Sequence, residues 1–115
     1  MAELKIFIGE SKIFSDVRTA KGPFTRLKGL MFDKVMTDMD GLLIPGCNWI
    51  HTFFMRFPID VVYLNRKYEV VDIDVNVVPW RMCAPRFKAR HVLELRGGSL
   101  ESKRLSIGEV LRCIA

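Results

Sequence analysis

At 115 residues the chain is the size of one domain and can bury roughly 65% of its extended surface, enough to fold without disulfides or a metal. Half of its residues are hydrophobic and 27% are charged, which excludes the disordered class. The formal net charge of +5 is moderate and mostly scattered, so it does not by itself mark a nucleic-acid binder. Cys47, Cys83 and Cys113 are odd in number, far apart and never in a Cys-x-x-Cys pair, which argues against a disulfide framework or a structural zinc. The start of the chain lacks the apolar core and cleavage site of a signal peptide, and no apolar run approaches the ~20 residues of a membrane span. The expectation is a reduced, cytoplasmic protein with no membrane contact and no cofactor.

In chain order, Leu4, Ile6 and Ile8 alternate with Lys5 and Phe7, and a second apolar run through Ile13, Phe14 and Val17 follows Gly9-Glu10-Ser11. That pattern predicts a hairpin. Pro23 to Met31 reads as a short helix, with Thr25 able to cap it and Gly29 weakening it. Four strands are predicted next: Leu42 to Ile44, Asn48 to Phe54, Ile59 to Leu64 and Tyr68 to Val78, separated at Pro45-Gly46 and Asn65-Arg66-Lys67. In the last of them Val71, Ile73, Val75 and Val77 fall on one face and Asp72, Asp74 and Asn76 on the other, which predicts one buried and one wet face.

Pro79 to Lys88 has two prolines and no period, and reads as an irregular loop. In Arg90 to Arg96, Val92 shares a side with Arg90 and Glu94, against His91, Leu93 and Leu95. Gly97-Gly98 ends that strand, Ser99 to Leu105 suggests a short helix with Ser99 as its N-cap, and Glu109 to Ile114 a final strand. The fold class is therefore mainly β: a single domain over residues 1–115, a sandwich or partly closed barrel of about seven to nine strands with one or two short helices.

An Arg-x-x-Gly-Leu-Met-Phe segment at Arg26 to Phe32 is followed by Gly-Leu-Leu-Ile-Pro at Gly41 to Pro45 and by an aromatic-Met-basic run leading to Pro-x-Asp at Phe53 to Asp60. Ala89-Arg90-His91-Val92-Leu93-Glu94-Leu95 and Ile107-Gly108-Glu109 complete the pattern. Over roughly residues 20 to 112 the chain resembles the domain of unknown function family 192, small prokaryotic proteins without an assigned activity. The resemblance implies a small all-β sandwich with short helices and no particular chemistry. The chain departs from it at Phe53 to Phe57, where many members have a longer segment with a polar pair, and at Arg66-Lys67, where a turn glycine is usual.

No catalytic motif of known mechanism occurs, so candidate residues come from unusual placement. His51, Arg56 and Asp60 put polar groups into an apolar run and could form a polar cluster; the alternative is that Arg56 and Asp60 pair with each other or with backbone around Pro58. Arg90 and Glu94 could join them in a four-member charged network, structural or the floor of an anion site. Arg81, Arg86, Lys88, Arg90 and Arg96 are opposed by Glu94 alone, and Trp80 and Phe87 sit in the same basic stretch as a candidate rim.

These features favour a non-enzymatic binding or accessory domain for a small anionic molecule or a protein partner, at a loop end bounded by Arg56, Trp80, Arg86 and Arg90. The rival from another class is a small hydrolase or transferase using His51, Asp60 and Glu94, and a third reading is a weak nucleic-acid binder. The oligomeric state is left open.

Overall fold

The computed structural model describes residues 3–20, 39–53, 55 and 57–115. The expected first hairpin is present: β1 (Glu3–Ile8) and β2 (Ser11–Thr19) pair antiparallel about Gly9, whose φ of 57° suits glycine. The remaining strands are β3 (Gly41–Pro45), β4 (Ile50–His51), β5 (Ile59–Leu64), β6 (Val70–Val77), β7 (Met82–Cys83), β8 (His91–Arg96) and β9 (Arg112–Ile114). Seven of them form one sheet in the order β6-β5-β8-β3-β2-β1-β9, and β4 and β7 form a second, two-stranded sheet. One short helix, α1 (Ser99–Ser102), is present among the described residues. The helix expected at 23–31 lies outside them, as do Phe54 and Arg56.

The large sheet curls toward a barrel without closing. The Val70 N–H donates to the Glu109 carbonyl (2.8 Å), the Gly108 N–H to the Val70 carbonyl (2.8 Å) and the Leu111 N–H to the Tyr68 carbonyl (2.9 Å). An isolated bridge joins Glu69 to Val110. These contacts draw the segments entering β6 and β9 together at one corner, but no ladder runs between the two strands.

Both faces of the sheet's centre are buried. All six residues of β5 are enclosed, as are Val92 to Leu95 of β8 and Gly41 to Ile44 of β3. On the inner side, Ile6, Phe14, Val17, Leu43, Val62, Leu93 and Leu95 pack together with Leu105 and Leu111. On the outer side, Leu42, Ile44, Ile59, Val61, Tyr63 and Val92 pack with Ile50, Met55 and Cys83. Each fully buried aliphatic side chain contributes about 1.5–3 kcal/mol, so this double layer supplies most of the driving force. Gly41 permits the close approach of β3 to β8: a Cβ there would lie 2.7 Å from Leu95 Cδ2 and 2.9 Å from the Glu94 carbonyl oxygen.

Several expectations are corrected by tertiary pairing. The alternation of β6 does not hold: Val71 and Val77 pack on the outer cluster, Ile73 on the inner one, and Val75 is 64% exposed. Two register shifts against β5 are responsible, and Asn76 beside one of them has a φ of 51°. The side bearing Asp72 and Asp74 is consequently part-buried under a neighbouring loop. The strand expected at Asn48 to Phe54 shrinks to Ile50–His51, and that at Glu109 to Ile114 to Arg112–Ile114. Gly98, with a φ of 90°, stands at the N-cap of α1 in place of Ser99. At Asn65-Arg66-Lys67 the missing glycine is replaced by Tyr68 at φ 63°, and the Asn65 side chain accepts the Lys67 and Glu69 N–H groups.

Asp60, 2% exposed, clamps one end of the sheet: Oδ1 accepts the Asn76 N–H at 2.8 Å and Oδ2 the Leu100 N–H at 3.0 Å. One carboxylate thus fixes both the kinked end of β6 and the start of α1. Asp60→Ala is expected to lower the unfolding free energy by about 2–4 kcal/mol, and Asp60→Asn by roughly half as much. Urea denaturation measures this, and a loss within error of zero for Asp60→Ala would refute the clamp.

Candidate functional site

The small sheet β4–β7 covers the outer face of the large one. Pairing sets Ile50 opposite Cys83 and His51 opposite Met82. Ile50 and Cys83 belong to the outer core cluster, whereas Met82 is 63% exposed. Because side chains alternate, Trp49, His51 and Phe53 share the outward side. Their rings form a column that extends to Trp80: centroids are 6.1 Å apart for Trp49–His51, 4.7 Å for His51–Phe53 and 5.9 Å for Phe53–Trp80. Trp49 and Trp80, at the two ends, are 42% and 57% exposed.

Two attachments hold this lobe in place. Fully buried Thr52 donates its hydroxyl to the Val78 carbonyl (2.7 Å), and the same oxygen accepts the Arg81 N–H (2.8 Å). Its carbonyl accepts the Trp80 N–H (2.9 Å), which fixes Trp80 at a φ of 66°, a conformation that bulky residues seldom adopt. The second attachment is Arg86. Its Nε donates to Asp72 (2.9 Å), its Nη2 to Asp74 (2.7 Å) and its Nη1 to the Ala84 carbonyl (2.7 Å), and the guanidinium lies 4.3 Å from the centre of the Tyr63 ring. Tyr63 in turn donates its hydroxyl to Asp74 at 2.9 Å. The hydrogen bond from Arg86 holds the Asp72 carboxyl below its ordinary range. Burial raises the Tyr63 phenol well above its ordinary range and raises the Cys83 thiol, so neither is an activated nucleophile.

The predicted candidates are therefore spread over separate environments. His51 accepts the Phe53 N–H on Nδ1 at 3.3 Å and stacks on that ring, and among the described residues it has no carboxylate or thiol partner. Asp60 holds the backbone N–H groups of Asn76 and Leu100. Arg86 is neutralised by two aspartates. Asp60 and Glu94 lie on opposite faces, because the register pairs Asp60 with Leu95 and Val61 with Glu94, so the four-member charged network does not assemble. Arg56 lies outside the described residues.

Arg90 is different. Its backbone is fixed, the N–H donating to Leu64 (2.7 Å) and the carbonyl accepting from Cys47 (3.0 Å), but its side chain is exposed and touches only the Ala89 carbonyl at 3.5 Å among the described residues. It lines a cavity of about 230 Å³ together with Gly46, Cys47, Asn48, Trp49 and Ala89. Of this set the sequence signalled only Arg90. Asn48 and Trp49 fell in the strand predicted from Asn48 to Phe54, and the aspartates that neutralise Arg86 on the wet face of a later one. Thr52 gave no signal beyond being a lone hydroxyl among aromatics. No three His, Cys, Asp or Glu side chains converge as metal ligands among the described residues, and no helix there is long and apolar enough to cross a membrane.

The DUF192 family, described as an uncharacterized ACR, matches residues 5–113. The chain belongs to this family. It is 33% identical over 113 residues to a UPF0127 protein of Pyrococcus horikoshii, covering 93% of this chain and 97% of that protein. It is 35% identical over 99 residues to a UPF0127 protein of Pyrococcus furiosus, covering 84% of each. Among solved structures it is similar to a protein of unknown function from Novosphingobium aromaticivorans, with a TM-score of 0.78 at 19% identity over 96% of this chain and 83% of that one. That likeness concerns the DUF192 fold alone.

Glu94 is the most unusual residue of the outer face. It is 1% exposed on the outer face between Leu42 and Val61, and neither carboxyl oxygen has a hydrogen-bond partner among the described residues. Burial pushes its pKa up to about 8 from 4.5, so it is held largely as the neutral acid at pH 7. Between those two values the unfolded chain has released a proton that the folded chain retains, so stability falls as pH rises from about 4.5 and levels off above about 8. The loss is on the order of 3–5 kcal/mol. Glu94→Gln, which cannot ionise, is expected to flatten this slope in thermal unfolding between pH 5 and 9; identical slopes in the two proteins would rule the assignment out.

Proposed function

We propose that the protein is a non-enzymatic binding domain for a small anionic partner, and that its binding face is the outer surface of the β4–β7 lobe with the turn leading into β8. One observation carries this reading: within the basic stretch Arg86 is neutralised by Asp72 and Asp74, whereas the Arg90 guanidinium beside Trp49 has no ion pair among the described residues. Exposed Lys88 and Arg81 add positive charge to the same stretch, next to exposed Phe87, Trp80 and Met82. Such a surface attracts anions and offers apolar area to bury against them.

The enzymatic alternative has little to rest on, since His51 and Asp60 each bond to backbone N–H groups, Glu94 is buried without a partner, and no acid–base pair forms from the three among the described residues. A cytoplasmic location is part of the same proposal; it is supported by three free cysteines, two of them buried.

A thermal-unfolding panel of carboxylates, phosphates, nucleotides, divalent metals and oligonucleotides tests the reading, because a ligand that prefers the native state raises the melting temperature. Small anions are expected to raise it in the wild type and to lose that effect in Arg90→Ala, whose exposed side chain bears no packing load. A response confined to oligonucleotides would favour the nucleic-acid reading, and a flat response to every anion would refute the proposal.

A further inference from the structure

The chemistry of the cavity beside Trp49 narrows the ligand class, an inference that rests on the binding reading above. Most of its backbone is already committed. The Cys47 N–H donates to the Arg90 carbonyl (3.0 Å), the Ala89 N–H to the Arg86 carbonyl (2.9 Å), and the Asn48 carbonyl accepts the Arg86 N–H (2.9 Å). The Cys47 thiol is turned onto the Trp49 carbonyl at 2.8 Å. Among the described residues, the polar side chains left to face a ligand are the Arg90 guanidinium and the Asn48 amide. Among the described residues no carboxylate lines the cavity. Among the described residues that line it, the one large apolar surface is the indole of Trp49, 42% exposed.

We infer that this cavity takes a single-ring aromatic anion, with its carboxylate or phosphate on the Arg90 guanidinium and its ring against Trp49. A planar guanidinium grips a carboxylate or phosphate through two parallel hydrogen bonds, which a lysine cannot reproduce. An exposed indole gains most from a flat apolar partner. Among the described residues a neutral polyol would find few side-chain hydrogen-bonding groups, and a cation would meet Arg90 and no carboxylate. At about 230 Å³ the cavity is smaller than ordinary drug-sized pockets of ~300–1,000 Å³, and it suits an occupant of about one ring and one charged group. The buried Cys47 thiol, engaged with the Trp49 carbonyl, takes no covalent part.

The test is isothermal titration with four kinds of probe, alongside intrinsic fluorescence in a Trp80→Phe background that leaves Trp49 as the sole indole. The probes are acetate and inorganic phosphate (charge without ring), benzyl alcohol (ring without charge), benzoate, and phenyl phosphate. Benzoate or phenyl phosphate is expected to bind at least about tenfold more tightly than any single-feature probe, and to alter Trp49 emission. Which of the two prevails distinguishes a carboxylate from a phosphate source. Arg90→Ala should lose about tenfold or more and Arg90→Lys an intermediate amount, whereas Trp49→Leu should erase the preference for a ring and retain weak anion binding. Equal affinity for ringed and ringless anions would overturn the aromatic assignment while leaving anion binding intact. Benzyl alcohol binding as tightly as benzoate would overturn the role of Arg90. No binding by any anion would overturn both this inference and the reading beneath it.

Discussion

Burial of β5 on both faces is the constraint from which the rest of the architecture follows. A strand with all six side chains enclosed cannot sit in a sheet with one wet face, so each side needs its own cover. The inner side is covered by curling the sheet on itself, which brings Ile6 and Val17 of the first hairpin over Val62 and Leu64. The outer side is covered by the β4–β7 lobe through Ile50 and Cys83. The two layers differ in kind. The inner one is built from ladder-paired strands, whereas the outer depends on a lobe whose single strand pair has only two residue pairs and must be fastened from elsewhere.

That fastening explains where the polar groups went. Thr52 and Arg86 lie at opposite ends of the lobe, and each replaces a missing ladder with several hydrogen bonds to groups distant in sequence. Arg86 reaches two aspartates that β6 presents on the outer side, and the same contact covers Tyr63. A strand edge is guarded at the same place: Asp72 Oδ1 accepts the Ile73 N–H at 2.9 Å, so that donor is not available to an incoming strand. Glu94 received no such partner among the described residues. Its burial costs stability above the ordinary carboxylate range, and the fold tolerates it by keeping the proton. The outward side of the same lobe carries the aromatic column and, among the described residues, an Arg90 guanidinium without an ion pair, so the element that covers the core also bears the surface proposed for binding.

The sequence by itself determined the fold class and much of the strand inventory. Alternation at Leu4, Ile6 and Ile8, the apolar run Ile59 to Leu64 and the split of Val92 from Leu93 across β8 are local signals, and they survived because each strand's own side chains decide its two faces. The motif order also sufficed to identify the family, since spacing along the chain is a property of the sequence alone.

Only the tertiary structure decided the functional geography. Whether a basic residue is free or neutralised depends on partners far away: Arg86 and Arg90 are four residues apart and look alike in sequence, yet the first meets aspartates 12 and 14 positions upstream and the second meets none among the described residues. A one-residue offset between β5 and β8 put Asp60 and Glu94 on opposite faces. The bulges of β6 turned Val75 outward against its alternation. Periodicity reports the direction of a side chain within its own strand; register, bulges and long-range ion pairs are set between strands, and a single chain's local pattern holds no record of them.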